Sequence, residues 1–502
     1  MIKAGFVTTF QNFNPFDYNS ISFDAANAIA RLVLPQPMTV SPTFAYKYNP
    51  ALLTGAPLVK RAGGKMTVTY AIRPDAAWSD GSPITVADFQ YVLRAAKRLH
   101  YFMDNLDIIT EVHAVGDNKK KVAVEYSRVT SEWMASFPFL LPSGVLKRAG
   151  RGYKAQVATL ERTVPAAGGP LRMTAFDKTA KRVSLVLNPR YLGKKSRISG
   201  LDITLFNDAY QAQAAASAGE VDVVEDAAPS DTEIHAFAAA HSDGVRIGSR
   251  LSMVLFNASD PMLKDSRVRV ALATALDRRA LLMVYTAGGP QHMAPGSLLM
   301  PAEAAGYEPA DAAYASPNVA KAALLLQQAG YKKGTAGIFA KGGKPLMLKF
   351  SVSKLAPAGM HDAQVVQQNL GQLGVKVTID PFGSEDFDNR LQHFQMIALN
   401  YQLLPDFATE SGVNFQCKNR YNYSKFCSNA YDAALGKAFS ASDDARRIAA
   451  INRADALLWK GMAALPVARR AVVAWVSPQL HGTAYNPANS SVLGDISGWR
   501  TS

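Results

Sequence analysis

The residue types that most often carry catalysis lack the spacing that such chemistry requires in this chain. The eight histidines form no His-x-x-x-His or Glu-x-x-His pair, the spacing typical of metal-ligating helices. No Gly-x-Ser-x-Gly nucleophile elbow and no phosphate-binding P-loop occur. The pairs Gly168-Gly169 and Gly342-Gly343 lack the neighbours that would make a phosphate cradle. The sequence therefore predicts no enzymatic activity, no cofactor and no metal site.

The two cysteines, Cys417 and Cys427, leave two states open. In a reducing compartment they would be free thiols, because no histidine or second cysteine pair completes a zinc set. In an oxidising compartment they would be able to form a local disulfide, worth roughly 2–4 kcal/mol if unstrained.

Length and composition indicate an ordinary globular protein with more than one core. The chain has 502 residues, of which 48% are hydrophobic, and chains of this length divide into domains. The net charge is +14, but the lysines and arginines are scattered and no basic helix appears, so we expect a charged surface and no nucleic acid partner. No apolar run approaches the roughly 20 residues needed to span a bilayer.

The strongest local pattern is a strand, a turn and a capped helix between residues 65 and 98. Apolar residues alternate with mostly polar ones from Lys65 to Ile72, which predicts a half-buried strand. The run Ser79-Asp80-Gly81 predicts a turn, since glycine adopts positive φ without strain. Thr85 and Asp88, three residues apart, predict a capping box at the start of a helix.

A second pattern begins at Asp265 and predicts one charged amphipathic helix through Arg278. Its core-facing side is predicted to carry Val268, Ala271, Leu272 and Ala275. Strand and helix patterns also alternate elsewhere, as in the strand at 201–206, the helix at 209–218 and the strand at 220–224. This alternation favours a mixed sheet with helices on its faces.

These two runs carry a family resemblance. Residues 78–89, W-S-D-G-S-P-I-T-V-A-D-F, closely resemble the signature of the family 5 extracellular solute-binding proteins, the dipeptide- and oligopeptide-binding subunits of ABC importers. Residues 265–278 keep almost every position of the family's second signature, D-x-R-V-R-x-A-L-x-x-A-D-R. The resemblance extends from Asn14-Pro15 to Pro466.

The resemblance implies a two-lobed α/β fold, the type II periplasmic-binding-protein fold of family 5, with an extra inserted subdomain in lobe I. The lobe I core is expected at 1–34 and 166–250, with the inserted subdomain at 35–165. Lobe II is expected at 251–478, and residues 479–502 are expected to return to lobe I.

The implied function is extracytoplasmic capture of an oligopeptide or related amide-rich solute in an inter-lobe cleft, with delivery to the permease of an ABC importer. The protein is expected to be a monomer in its mature form, without its signal sequence, and to meet the membrane only through a lipid anchor absent from this chain. An alternative is a regulatory or scaffold protein of the cell envelope that uses the same fold without transport.

One departure from the family pattern bears on the ligand. Peptide-binding members carry W-x-x-D-x-x-D-P near residues 400–407, and the first acid pairs with the peptide's amino terminus. In this chain the resemblance aligns Leu403 with that acid and Asp406 with the second. A leucine cannot neutralise an ammonium group, so either another acid replaces it or the ligand is not an ordinary free peptide.

Ligand contacts are expected from two segments that follow probable strands and mix aromatic rings with amides or an acid. Rings supply apolar area at low entropic cost, and amides satisfy a ligand's buried polar groups. Asp406 is expected to be an exposed loop acid, as readily a turn cap as a ligand contact. The predicted ligand-binding residues are Phe13, Asn14, Phe16, Tyr18, Asn19, Asn400, Tyr401, Gln402, Asp406 and Phe407.

The cysteines are predicted to be bonded to each other. They are the only two in the chain, and the intervening residues 421–424 resemble the family's loop before its last long helix.

Overall fold

The computed structural model describes residues 1–17, 23–101, 103, 105–227, 229–282, 295–354, 357–409 and 411–501. The chain forms two compact units. Unit 1 comprises Met1–Pro229, Glu233–Arg246 and Val472–Ser502, and unit 2 comprises Ser230–Thr232 and Ile247–Ala471. The predicted lobe boundaries at 250/251 and 478/479 lie a few residues beyond those of the units.

The elements that begin before residue 245 follow in chain order. They are β1 (Ile2–Val7), α1 (Phe23–Val33), β2 (Met38–Val40), β3 (Tyr46–Tyr48), β4 (Leu58–Ala62), β5 (Lys65–Ala71), α2 (Val86–Leu99), β6 (Ile109–Val115), β7 (Asn118–Tyr126), α3 (Ser143–Ala149), α4 (Tyr153–Val157), β8 (Leu171–Asp177), β9 (Arg182–Leu187), β10 (Gly200–Phe206), α5 (Ala209–Ser217), β11 (Val223–Asp226) and α6 (Asp231–Ala240).

The elements from residue 245 onward complete the chain. They are β12 (Val245–Phe256), α7 (Ser266–Ala275), α8 (Arg278–Leu282), α9 (Val319–Gln328), β13 (Lys332–Lys333), β14 (Phe339–Lys341), β15 (Lys344–Pro345), β16 (Met347–Ser353), α10 (Pro357–Leu373), β17 (Lys376–Phe382), α11 (Phe387–Gln392), β18 (Met396–Gln402), α12 (Asn429–Phe439), α13 (Asp444–Gly461), β19 (Ala464–Val476), β20 (Leu480–His481) and β21 (Arg500–Thr501).

Unit 1 is built on a mixed sheet with strand order β19-β11-β1-β10-β9-β8. A separate four-stranded sheet, β4-β5-β7-β6, lies within the predicted inserted segment. Helix α2 begins with the predicted capping box, since Thr85 and Asp88 bond each other's backbone, and Gly81 in the preceding turn has φ +91°. The strand, turn and capped helix predicted at 65–98 are therefore confirmed.

Unit 2 is built on strands in the order β17-β16-β18-β12-β19. Val268, Ala271, Leu272 and Ala275 are buried on α7, as predicted. The prediction of one helix from 265 to 278 is wrong, because α7 ends at Ala275 and the extended Leu276 separates it from α8. Asp277 begins the new helix by accepting hydrogen bonds from the backbone N–H groups of residues 279 and 280, at 2.9 and 3.2 Å.

Each unit has its own apolar core. In unit 1 the buried side chains include Trp78, Phe89 and Trp499, and in unit 2 they include Phe256, Phe350 and Leu465. Among the described residues, no helix is both long and apolar enough to cross a membrane.

Candidate functional site

The carboxyl ends of the parallel strands of unit 2 define one edge of its sheet. Strands β16, β17 and β18 run parallel and end at Ser353, Phe382 and Gln402. Strand β12 is antiparallel to β18 and pairs Arg250 with Gln402, so the unit 2 part of β12 begins at this edge. Ligands of open α/β sheets bind outside the carboxyl ends of the strands. We call this the carboxyl edge of unit 2.

Two predicted site residues, Asn400 and Gln402, bring amide groups to the carboxyl edge of unit 2. Ser252 Oγ donates to Asn400 Oδ1 at 2.6 Å, and Gln402 Nε2 donates to Ser249 Oγ at 3.3 Å. Asn400 is exposed and Gln402 is half-buried. These bonds fix the two side chains. They leave the amide N–H groups of Asn400 and the carbonyl of Gln402 without a hydrogen bond among the described residues.

Tyr401 lies between these two residues in sequence, but successive side chains of a strand alternate, so its side chain points to the opposite face of β18 and its hydroxyl is buried there. No described residue forms a hydrogen bond with its Oη atom, although that atom is inaccessible to water. Its ring lies 6.1 Å from that of Phe415, and burial raises the pKa of the hydroxyl well above its usual value, so it stays protonated. An unpaired buried polar group costs roughly 1–3 kcal/mol. The hydroxyl of Tyr401 is therefore a donor that lacks an acceptor among the described residues.

The segment after β18 is more buried than the sequence suggests. Leu403 has no exposed surface and donates its N–H to the carbonyl of Ser249 at 2.8 Å. The prediction that Asp406 is an exposed loop acid is wrong, because only 2% of it is accessible. Its neighbour Phe407 is also buried, beneath the guanidinium of Arg447 at 5.7 Å from the ring centroid. Asp406 is therefore part of the folded loop, and its replacement would affect stability as well as any ligand contact.

Sequence reasoning missed Arg469, a buried cation of β19. Its Nε and Nη2 atoms donate to the carbonyl of Gly248 at 2.9 and 2.6 Å, and its Nη1 atom pairs with Glu303. The guanidinium thus ties β19 to the beginning of the unit 2 part of β12. The signal was the Arg469-Arg470 pair inside an otherwise apolar strand, since a charge in such a run needs partners.

The predicted contact segment of unit 1 follows β1 and packs inward. Phe13 and Phe16 are buried in the core, where the Phe13 ring meets that of Phe176 edge-on at 5.0 Å. Asn14 is buried too, and its side chain donates to the hydroxyl of Tyr101 at 2.9 Å and accepts from the N–H of Phe16 at 3.1 Å. In this structure these three side chains stabilise the segment, and their ligand contacts stay a prediction. Tyr18 and Asn19 lie outside the described residues.

Unit 1 carries a buried acid at the carboxyl end of β11. Glu225 accepts hydrogen bonds from the hydroxyl of Ser491 at 2.8 Å and from the N–H of Val492 at 2.6 Å. Burial is the largest influence and raises its pKa to about 7, against the lowering effect of those bonds and of Arg31. Glu225 thus anchors the C-terminal segment to the sheet, which is a structural role.

Cys417 and Cys427 form a disulfide in unit 2, with their Cα atoms 4.6 Å apart. The N–H of Cys417 also donates to Asp432 at 3.2 Å, which connects the loop to α12. Among the described residues, no group of three or more His, Cys, Asp or Glu side chains lies close enough to hold a metal ion.

The fold is that of the two-lobed α/β binding proteins. A model of the bacterial extracellular solute-binding proteins, family 5 (middle region), matches residues 47–421. The chain belongs to that family, so the resemblance and fold class predicted from the sequence are confirmed. Members of the family bind solutes outside the cytoplasm, are a non-catalytic class and work with ABC transporter permeases.

Two relatives and one solved structure are similar to this chain. The oligopeptide-binding protein OppA of Mycobacterium tuberculosis H37Rv is 25% identical over 475 residues, which cover 90% of this chain and 78% of OppA. The probable monoacyl phosphatidylinositol tetramannoside-binding protein LpqW of the same organism is 26% identical over 408 residues, covering 73% and 62%. The structure of the periplasmic EDTA-binding protein EppA matches with a TM-score of 0.83 at 24% identity, covering 99% of this chain and 96% of EppA.

Proposed function

We propose that this protein captures an oligopeptide or a related amide-rich solute outside the cytoplasm and delivers it to an ABC importer. The observation that carries the proposal is the polar end of β18. The side chains of Asn400 and Gln402 are held by hydrogen bonds on one side and have amide groups left over. A peptide backbone offers donors and acceptors that match such groups. The name of OppA supports the same ligand class.

The buried Leu403 restricts the kind of peptide. At this position the family pattern predicts an acid that pairs with a ligand ammonium group, and this chain has a leucine with no exposed surface. We infer that the ligand does not place a free amino terminus here. Peptides with a blocked amino terminus, or amide-rich solutes without one, fit this position better than ordinary free peptides.

Calorimetric titration tests the proposal with two matched peptide libraries, one acetylated and one with free amino termini. We expect binding from the acetylated library, weakened by Asn400→Ala together with Gln402→Ala. The double variant Lys344→Ala with Lys376→Ala is the control, because both lysines are exposed and lie at the other end of the strands, just before β16 and at the beginning of β17. If neither library binds, or if the variant with Asn400→Ala and Gln402→Ala binds as tightly as the lysine control, the proposal is contradicted.

A scaffold role in the cell envelope is the second candidate, and the leucine that replaces the family's acid at position 403 favours it. The two candidates differ in the partner. For an import protein, deletion of its permease should abolish uptake of the bound solute. For a scaffold, loss of the protein should leave uptake unchanged and alter the composition of the cell envelope.

A further inference from the structure

A surface groove of about 740 Å³ lies in unit 2 between α12 and α13. One wall is formed by residues of α12 and the other by residues of α13, in each case three or four positions apart. The turn between the two helices closes one end of the groove. It is lined by Ala430, Ala433, Ala434, Lys437, Ser440, Ala441, Ser442, Arg446, Ala449, Ala450, Arg453 and Leu457. We call this the α12–α13 groove. It has no part in the ligand site described above.

The shape of the groove suits an α-helix. On α12 the lining positions recur three or four residues apart from 430 to 441, and on α13 they recur likewise from 446 to 457. Six of these positions are alanine, so the floor is made of methyl groups and a third helix would approach both backbones closely. Helices pack at 8–10 Å, and small contact residues favour the shorter separations.

The charges along the groove are all positive. Lys437, Arg446 and Arg453 line it, and none of its lining residues is acidic. Arg446 is partly neutralised, because it donates to the hydroxyl of Ser442 at 2.7 Å and lies 3.5 Å from a carboxylate oxygen of Asp443. The side chains of Lys437 and Arg453 are exposed and form no hydrogen bond or ion pair with the described residues.

We propose that the α12–α13 groove binds an amphipathic α-helix of a partner protein, with small apolar residues on the buried face and acidic residues along its flanks. Alanine methyl groups and unpaired cations together match that chemistry. A flat lipid surface would touch only the rim of a concave groove. A second copy of this chain, with a net charge of +14, would be repelled unless it presented an acidic helix.

The first test uses two synthetic helical peptides of about 18 residues, or about five turns, built from Ala and Leu with either Glu or Lys along the flanks. Fluorescence anisotropy with the full-length protein should detect the Glu peptide and not its Lys twin. The variant Lys437→Glu with Arg453→Glu should weaken binding by at least about tenfold. The same charge change at exposed sites away from the groove, Lys321→Glu with Lys344→Glu, should leave it unchanged.

A second variant separates shape from charge. Ala449→Trp places a large side chain in the groove and should abolish binding of the Glu peptide, whereas Ala320→Trp, at an exposed position of α9, should not. Solute binding should be the same in all variants, which separates failure of this proposal from failure of the proposed function. Equal binding of both peptides, no binding of the Glu peptide, or a dimer that Ala449→Trp disrupts would overturn the proposal.

Discussion

Replacing Tyr401 by phenylalanine removes one oxygen atom from the carboxyl edge of unit 2 and keeps the ring. Because no described residue accepts the proton of this hydroxyl, its removal should not destabilise the ligand-free protein. We expect the free energy of unfolding to stay the same or to rise by up to about 1 kcal/mol. The hydroxyl is inaccessible and lies on the face of β18 opposite Asn400 and Gln402, so we expect the variant to keep the Kd of the wild type.

Tyr431→Phe is the matched control. Tyr431 is also a fully buried tyrosine of unit 2, but its hydroxyl donates to the carbonyl of Gly412 at 2.6 Å. Its removal leaves that carbonyl unpaired, so this variant should lose roughly 1–3 kcal/mol of stability. Tyr431 lies outside the predicted site, and we expect its variant to keep the Kd of the wild type.

The assay combines the thermal-unfolding midpoint of each ligand-free variant with calorimetric titration of a peptide that binds the wild type. We expect unchanged or higher stability for Tyr401→Phe, lower stability for Tyr431→Phe, and unchanged binding by both variants. A Tyr401→Phe protein that melts earlier than the wild type would refute the reasoning, because the hydroxyl would then have a structural partner.

Three further predictions concern stability. Since burial raises the pKa of Glu225 to about 7, the folded protein holds its proton more tightly than the unfolded chain, and stability should fall as pH rises from about 4.5 through 7. Glu225→Gln should flatten that decline in urea titrations at pH 5 and 8, and an unchanged slope would argue against this assignment. Thiol titration of the denatured, unreduced protein should find neither Cys417 nor Cys427 reactive, and replacing both by serine should cost roughly 2–4 kcal/mol. Gly169→Ala should strongly destabilise the protein, because the added Cβ would lie 2.5 Å from a backbone carbonyl oxygen. Gly436→Ala, in a helix with open space around this position, should stabilise the protein by roughly 0.5–1 kcal/mol. Thermal unfolding measures both changes, and equal effects of the two variants would exclude the steric argument.

Elements with strong periodicity and caps were predictable from the sequence. The capping box of Thr85 and Asp88 and the buried face of α7 follow from local rules that the structure keeps. The break after Ala275 was harder to predict, because the hydrophobic period continues across it. The signal was nevertheless present, since Asp277 is a good N-cap residue and it begins α8.

The candidate site was less predictable, because burial of a polar residue depends on contacts distant in sequence. Asp406 follows a proline in a loop, a pattern typical of an exposed turn, yet it is buried. Asn14 has the residue type of a ligand contact, but Tyr101, far along the chain, takes its amide. Asn400 and Gln402 were identified by type and position, while the serine partners that hold them become visible only in the register of β12 and β18.

Native mass spectrometry of the protein, purified without denaturation from its own host, tests whether it carries an amide-rich solute. We expect one solute per chain, rich in amide groups and without a free amino terminus, that is released unchanged when the protein is unfolded. Loss of the complex in the Asn400→Ala, Gln402→Ala variant would place the solute at the carboxyl edge of unit 2. A solute without amide groups, or a bound species converted to product during incubation, would contradict the proposed function.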